Sequence, residues 1–157
     1  QGCVPDPWGS TNFMPPTFVP GLDLFVLTAR ETCATYVPEK PIDAPGQSNF
    51  GGTVLIDAEQ GSGALRALDI HSGDLVWEFS YPSPTFGGVM STASGLVFAG
   101  DHEGNFMAFD AYNGKNLWHY QTGSRIWGAA AMTFMLDHRQ LVLIPSGTTL
   151  VAFALPE

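Results

Sequence analysis

An eleven-residue pattern occurs twice in this chain, and it restricts the fold more than any other feature. Ala67-Leu68-Asp69-Ile70-His71-Ser72-Gly73-Asp74-Leu75-Val76-Trp77 aligns with Ala108-Phe109-Asp110-Ala111-Tyr112-Asn113-Gly114-Lys115-Asn116-Leu117-Trp118, keeping Ala, Asp, Gly and Trp at the same offsets. The period, 110 minus 69, is 41 residues. A unit of that length with one Trp and one turn Gly suits a four-stranded propeller blade. A helical repeat of similar length would need long stretches of 3.6 periodicity, which this sequence lacks.

Each repeated residue has a mechanical role. Asp69 and Asp110 accept backbone N–H bonds in the turn that follows, Gly73 and Gly114 supply the positive φ that closes it, and Trp77 and Trp118 open the next strand. The flanking residues alternate, with Phe106, Ala108 and Asp110 on one face and Met107 and Phe109 on the other. A hairpin that is apolar on both faces fits a blade stacked between neighbours.

A third, partial copy follows: Leu150-Val151-Ala152-Phe153-Ala154 matches Phe106-Met107-Ala108-Phe109-Asp110, with Ala152 44 residues after Ala108. No Gly and Trp follow it before Glu157, so this unit is expected to lack its outer strand. Gly88-Val89-Met90 and Ala130-Ala131-Met132 open the second and third units at a spacing of 42, and Asn12-Phe13-Met14 opens the first. Met14 and Met90 are 76 residues apart, 34 more than that spacing, so the first unit carries an insertion. Its bounds are residues 29–60, where Pro38, Pro41, Pro45, Gly46, Gly51 and Gly52 predict irregular backbone. The expected fold is all-β: about three four-stranded antiparallel blades over residues 8–82, 83–124 and 125–157. Closed propellers need about four to eight blades, so an arc of three exposes apolar blade faces and strand edges. The expected partner is therefore the remaining blades or another protein chain.

Composition narrows the partners. With 157 residues and 45% hydrophobic content the chain can bury a single core. Fifteen acidic residues face six scattered basic ones, a formal net charge of -9, which excludes the clustered basic face that nucleic acid requires. No apolar run approaches the roughly 20 residues that span a bilayer, since even residues 22–29 are interrupted by Asp23 and Thr28. The two cysteines, Cys3 and Cys33, are too few for a metal cluster. Either they form a disulfide in an oxidising compartment, periplasmic or otherwise secreted, or they are two buried thiols. The segment starting at Gln1 does not look like a signal peptide.

At this point the repeat resembles a known set. The A-x-D-x-x-x-G-x-x-x-W signature at Ala67 and Ala108 is similar to the tryptophan docking motif of the quinoprotein dehydrogenases, eight-bladed propellers that hold pyrroloquinoline quinone (PQQ) and a metal, usually calcium. Gly9-Ser10-Thr11-Asn12-Phe13-Met14-Pro15 resembles that family's Gly-Gly-Thr-Asn-Trp segment, and residues 87–101 resemble its penultimate blade. The likeness runs through the whole chain in the order of the family's C-terminal third. It implies that Asn12 contacts the quinone and that Phe86, in a slot often filled by Trp, lies near it. Phe13 and Phe86 both depart from Trp, which removes the indole N–H. Gly87 and Gly88 let the inner strand approach the axis, either for a ligand or to relieve backbone crowding. The resemblance also implies that the catalytic Asp, the metal ligands, the Arg that polarises the quinone and the Trp floor lie in earlier blades, so no residue here takes those roles.

Other groupings are weak. Asp101-His102-Glu103-Gly104-Asn105 is rich in oxygens but lacks the spread of a calcium loop, so a β-turn is expected, with Gly104 at positive φ. His71, His102, His119 and His138 lack zinc-ligand spacing and are expected at the surface. Ser91, Ser94 and Ser146 sit in no nucleophile elbow. Tyr36, Tyr81, Tyr112, Tyr120, Trp8 and Trp127 are expected to fill blade interfaces. Two functions compete: a segment of a PQQ-dependent dehydrogenase for an alcohol or sugar, forming one wall of the quinone pocket without being catalytic alone, and a cofactor-free scaffold or subunit of a larger assembly.

Overall fold

A computed structural model describes residues 4–40, 45–46 and 51–155. It holds eleven strands, and no helix occurs among the described residues. They form three antiparallel meanders. The first sheet orders β1 (Thr17–Val19), β2 (Leu24–Pro38), β3 (Gly52–Asp69) and β4 (Leu75–Tyr81). The second orders β5 (Val89–Ser91), β6 (Leu96–Gly100), β7 (Asn105–Asp110) and β8 (Asn116–Gln121). The third has three strands, β9 (Met132–Leu136), β10 (Arg139–Ser146) and β11 (Thr149–Ala154).

Alternation along β6 and β7 builds two cores. Val97, Ala99, Met107 and Phe109 face the first sheet and pack with Val26, Leu65, Ala67 and Trp77. Phe98, Phe106 and Ala108 face the third sheet and pack with Ile126, Ala131 and Ile144. The middle sheet is thus apolar on both sides, as a strand pair stacked between neighbours must be.

The repeated turns have matching geometry. Gly73 and Gly114 take φ of 78° and 70°. Their N–H groups donate to the carbonyls of Asp69 and Asp110 at 2.8 and 2.9 Å. The β3/β4 register shifts between Ala67 and Leu68, and the β7/β8 register shifts at the equivalent Ala108 and Phe109. Trp77 then leaves its own blade: its indole N–H donates to the carbonyl of Ala111 at 2.9 Å, and its ring covers Gly114. The Asp69 carboxylate accepts the N–H groups of Ser72 and His71, which hold its pKa below the ordinary value. A carboxyl with a depressed native pKa stabilises the fold above its unfolded pKa, and that contribution is lost as pH falls through the native pKa. Asp69→Asn is therefore expected to flatten the acid limb of the stability profile below about pH 4, read by thermal unfolding across a pH series.

The insertion in the first unit differs from expectation. Residues 29–38 and 52–57 are not irregular; β2 and β3 pair from Leu24↔Asp69 to Glu31↔Ser62 and again from Cys33↔Asp57 to Pro38↔Gly52, and the one register break, between Glu31 and Cys33, takes in residues 58–61. The β-branched and aromatic residues Thr35, Tyr36, Val37, Thr53, Val54 and Ile56 favour strand. Pro38 is the last paired residue of β2, where a missing N–H is tolerated. The result is a long hairpin arm. Its edge is met by residues 4–6: Asp6 N–H donates to the Thr32 carbonyl at 3.1 Å, and Ala34 N–H donates to that of Val4 at 2.8 Å.

Candidate functional site

The loops that lead into the innermost strands, residues 8–16, 83–88 and 125–131, gather at one end of the blades, beside the base of the arm. Phe86 and Trp127 form a parallel bridge, and Gly128 N–H donates to the Phe86 carbonyl at 2.9 Å. An aromatic cluster results. Phe86 stacks on Trp127 with centroids 4.3 Å apart and on Phe13 at 5.8 Å, and Trp8 meets Phe86 edge-on at 6.0 Å. Phe86 is buried, whereas Trp8, Phe13 and Trp127 keep 45 to 46% of their surface exposed. The site therefore presents aromatic surface around a buried central ring.

A buried ion pair stands behind that ring. The Arg30 guanidinium lies 4.0 Å from the Phe86 centroid and donates to both Asp6 oxygens at 2.9 and 3.1 Å, with the two side chains 4% and 1% exposed. This combines a cation–π contact with a two-point charge-assisted pair. Asp6 Oδ1 also accepts the N–H of Trp8 at 2.8 Å, so one carboxylate fixes both the arginine and the start of the aromatic loop. The Arg30 N–H donates to the Ser10 carbonyl at 2.6 Å, tying the same loop to β2.

The four residues expected at the cofactor fare differently. Phe86 is central. Asn12 is exposed, and its amide donates to the Trp8 carbonyl at 3.1 Å, which braces the loop beside the cluster. Gly87 and Gly88 are accounted for by backbone crowding: a Cβ on Gly87 would strike the Gly100 carbonyl, and one on Gly88 would come within 2.7 Å of Pro15 and 2.8 Å of the Ala130 nitrogen. Thr28 adds a buried hydrogen bond to the Gly87 carbonyl at 2.6 Å. Cys33 is disulfide-bonded, and Cys3, the partner expected from sequence, lies outside the described residues.

Several expectations are corrected. Trp8 and Trp127 do not fill blade interfaces; they sit at the mouth, because their loops precede the inner strands instead of lying within the sheets. Of the four tyrosines, Tyr36 and Tyr112 are exposed, whereas Tyr120 packs edge-on against Phe153 of the third sheet at 5.2 Å and Tyr81 is buried between the first two sheets, where desolvation followed by the charge of Asp101 raises its pKa well above the ordinary value. His102 is half-buried with its Nδ1 enclosed, so it is not a surface histidine. The 101–105 segment is a turn as expected, with Gly104 at φ 90° and Asp101 accepting the N–H and side-chain amide of Asn105 at 2.7 and 2.8 Å. Among the described residues no group of three or more His, Cys, Asp or Glu side chains could hold a metal. Among the described residues no helix is long and apolar enough to cross a membrane.

Comparison with known proteins agrees with this architecture. Residues 37–155 match the family PQQ_2, described as outer membrane protein assembly factor BamB. A quinoprotein ethanol dehydrogenase from Pseudomonas aeruginosa is 38% identical over 120 residues, 75% of this chain and 19% of the relative. A lanthanide-dependent methanol dehydrogenase from Methylacidiphilum fumariolicum is 31% identical over 94% of this chain and 25% of its own length. Among solved structures, a quinohemoprotein alcohol dehydrogenase from Pseudomonas putida superposes with a TM-score of 0.82 at 29% identity, over 91% of this chain and 23% of that one. A europium-containing methanol dehydrogenase gives 0.81 at 30% identity, over 89% of this chain and 25% of that one. The chain thus spans 19 to 25% of the length of these relatives. Repeated turns, stacked antiparallel sheets and these matches lead to one conclusion: the chain belongs to the PQQ_2 family of propeller proteins and is a homologue of the quinoprotein alcohol and methanol dehydrogenases.

Proposed function

We propose that this chain is the C-terminal propeller segment of a PQQ-dependent dehydrogenase that oxidises an alcohol or sugar, and that its mouth forms one wall of the quinone pocket. The observation that carries the reading is the aromatic cluster of Phe13, Phe86, Trp127 and Trp8, which offers exposed ring surface at the converging inner loops of a chain homologous to such enzymes. A flat, conjugated cofactor fits against that surface. The quinone, when bound, supplies the acceptor for the two electrons and the hydrogen removed from the alcohol carbon. The exposed ring of Phe13 would border it, with Phe86 buried behind as the ring that positions the cluster and Asn12 at the rim, where its side-chain oxygen is available to a ligand. Arg30, already bonded to Asp6, serves to hold Phe86 in place instead of contacting substrate.

The described residues do not make a metal site, so any metal would be held by other parts of the enzyme. The same holds for the general base, since alcohol oxidation needs a proton acceptor placed by another part of the enzyme. The apolar outer faces of the end sheets, with Phe18 and Phe25 on one and Met132, Phe134 and Leu136 on the other, suit burial against further blades. The disulfide at Cys33 supports a periplasmic or otherwise secreted location.

The test is the native mass of the protein as isolated, followed by denaturation and detection of released PQQ by absorbance and mass. The expected result is an assembly or longer chain with a complete propeller and one quinone, active on alcohols after loading with PQQ and metal. A stable assembly that neither contains nor takes up quinone overturns the dehydrogenase reading in favour of a scaffold.

A further inference from the structure

Six cationic side chains serve this acidic chain. Arg30 is paired with Asp6, and Arg66 with Glu31 and Glu78, but Arg125 has no carboxylate within ion-pair distance among the described residues. Its guanidinium lies 4.9 Å from the ring centroid of Trp127, and both side chains are exposed to solvent. Together with Pro145, Gly147 and Thr148 they line an open surface cleft of about 400 Å³ beside the aromatic cluster.

The backbone beneath this pair is clamped. Gly147 N–H donates to the Arg125 carbonyl at 3.2 Å, and the Ser146 hydroxyl donates to the Ser124 carbonyl at 2.7 Å. Ser146 is also 2.7 Å from the hydroxyl of Thr122, which donates to the Gly104 carbonyl at 2.8 Å. Trp127 is fixed in turn by its stack on Phe86. The Arg125 backbone is thus tied to the turn between β10 and β11, with the guanidinium beside the Trp127 ring, which stacks directly on Phe86. In the neighbouring turn, which accepts the Ile126 N–H at the Asp101 carbonyl, the Glu103 carboxylate accepts from Ser83 at 2.6 Å and Asp101 bonds Asn105, and neither lies within ion-pair distance of Arg125.

We propose that Arg125 and Trp127 form an anion subsite that takes the carboxylate of a substrate that is both an alcohol and a carboxylic acid, with the hydrocarbon body lying on the Trp127 ring. This identification of the ligand as a substrate rests on the dehydrogenase reading; the recognition of a carboxylate does not. A guanidinium is suited to a planar carboxylate by its forked donors, and the adjacent ring gives the body a place to stack. The net charge of -9 works against anions in general, so discrimination depends on this local cation and weakens as salt screens it.

The complete, cofactor-loaded enzyme is assayed with para-(hydroxymethyl)benzoate and with benzyl alcohol, the same body without the charge. Arg125→Gln is expected to lower the ratio of kcat/KM for the acid to that for the neutral alcohol by about ten- to a hundred-fold, the range of one charge-assisted pair. A second readout needs no turnover. Titrating the protein with para-(hydroxymethyl)benzoate should change tryptophan fluorescence saturably, with the change lost in Arg125→Gln, reduced in Trp127→Phe and weakened at about 1 M salt. An unchanged ratio together with an unchanged titration in Arg125→Gln overturns the subsite. Saturable, Arg125-dependent titration in a protein that oxidises no alcohol keeps the subsite and overturns the dehydrogenase reading instead.

Discussion

Replacing Asp6 by Ala is expected to destabilise the protein by about 3–5 kcal/mol, because it leaves the Arg30 guanidinium buried without its counter-ion. The carboxylate and the guanidinium are 1% and 4% exposed, so water cannot take over the lost contacts without opening the mouth. Arg30 Nε already has no partner, which leaves the group little spare satisfaction. Asp6 also accepts the Trp8 N–H, and its loss should loosen the aromatic loop along with the arginine. The same logic predicts that Asp6→Ala combined with Arg30→Met costs less than Asp6→Ala alone, since the orphaned charge is gone and an unbranched apolar chain still covers Phe86. Urea unfolding of the four proteins reads this as a positive coupling. A single-mutant cost under about 1 kcal/mol would mean that Arg30 swings out to solvent, and Phe86 would then lose its role as a fixed ring.

How far the site was legible in the sequence follows from the range of the interactions that build it. The repeated turns are local: Asp69 with Ser72, and Gly73 with Asp69, are three and four residues apart, and composition at fixed offsets announces them. The blade faces follow from alternation, which alone puts Met107 and Phe109 on the side opposite Phe106 and Ala108. The mouth is different. Asp6 and Arg30 are 24 residues apart, with no spacing rule to link them, and Arg30 read as one more scattered cation. Trp8 and Trp127 read as interface filler because aromatics in stacked sheets usually are. Only the convergence of three inner-strand loops, a consequence of meander topology repeated at the same end, brings them to Phe86. The arm departs from expectation for a related reason. Its prolines and glycines fall in sequence between residues 38 and 52, whereas the pairing that makes it regular runs through residues as distant as Val37 and Thr53.

The second large effect concerns how neighbouring blades are held. Trp77→Ala is expected to cost about 3–5 kcal/mol, the range for removing a large buried aromatic, because the ring is 8% exposed and bonds across to Ala111. Trp77→Phe keeps most of the packing but leaves the Ala111 carbonyl without its donor, so an intermediate loss of about 1–3 kcal/mol is expected. Gly114 is the other half of the contact. It combines φ 70° with a ring so close that an added Cβ would come within 2.5 Å of Trp77 Cε3 and 2.7 Å of Cδ2. Gly114→Ala therefore carries two penalties, a left-handed backbone worth about 1–2 kcal/mol and a steric clash with Trp77. In a Trp77→Ala background the clash disappears and only the backbone penalty remains. The double-mutant cycle should show the pair costing less than the sum of its parts, measured by chemical denaturation. Strict additivity would place the role of Gly114 in its own turn alone. Trp118 supplies the internal control: it occupies the same repeat position but is 39% exposed, with its ring against Phe153 and Tyr120, so Trp118→Ala should cost clearly less than Trp77→Ala in the same protein. The difference between the two reads the buried indole contact to Ala111 and Gly114, because both Trp residues follow an equivalent bulge and a turn closed by a glycine at positive φ.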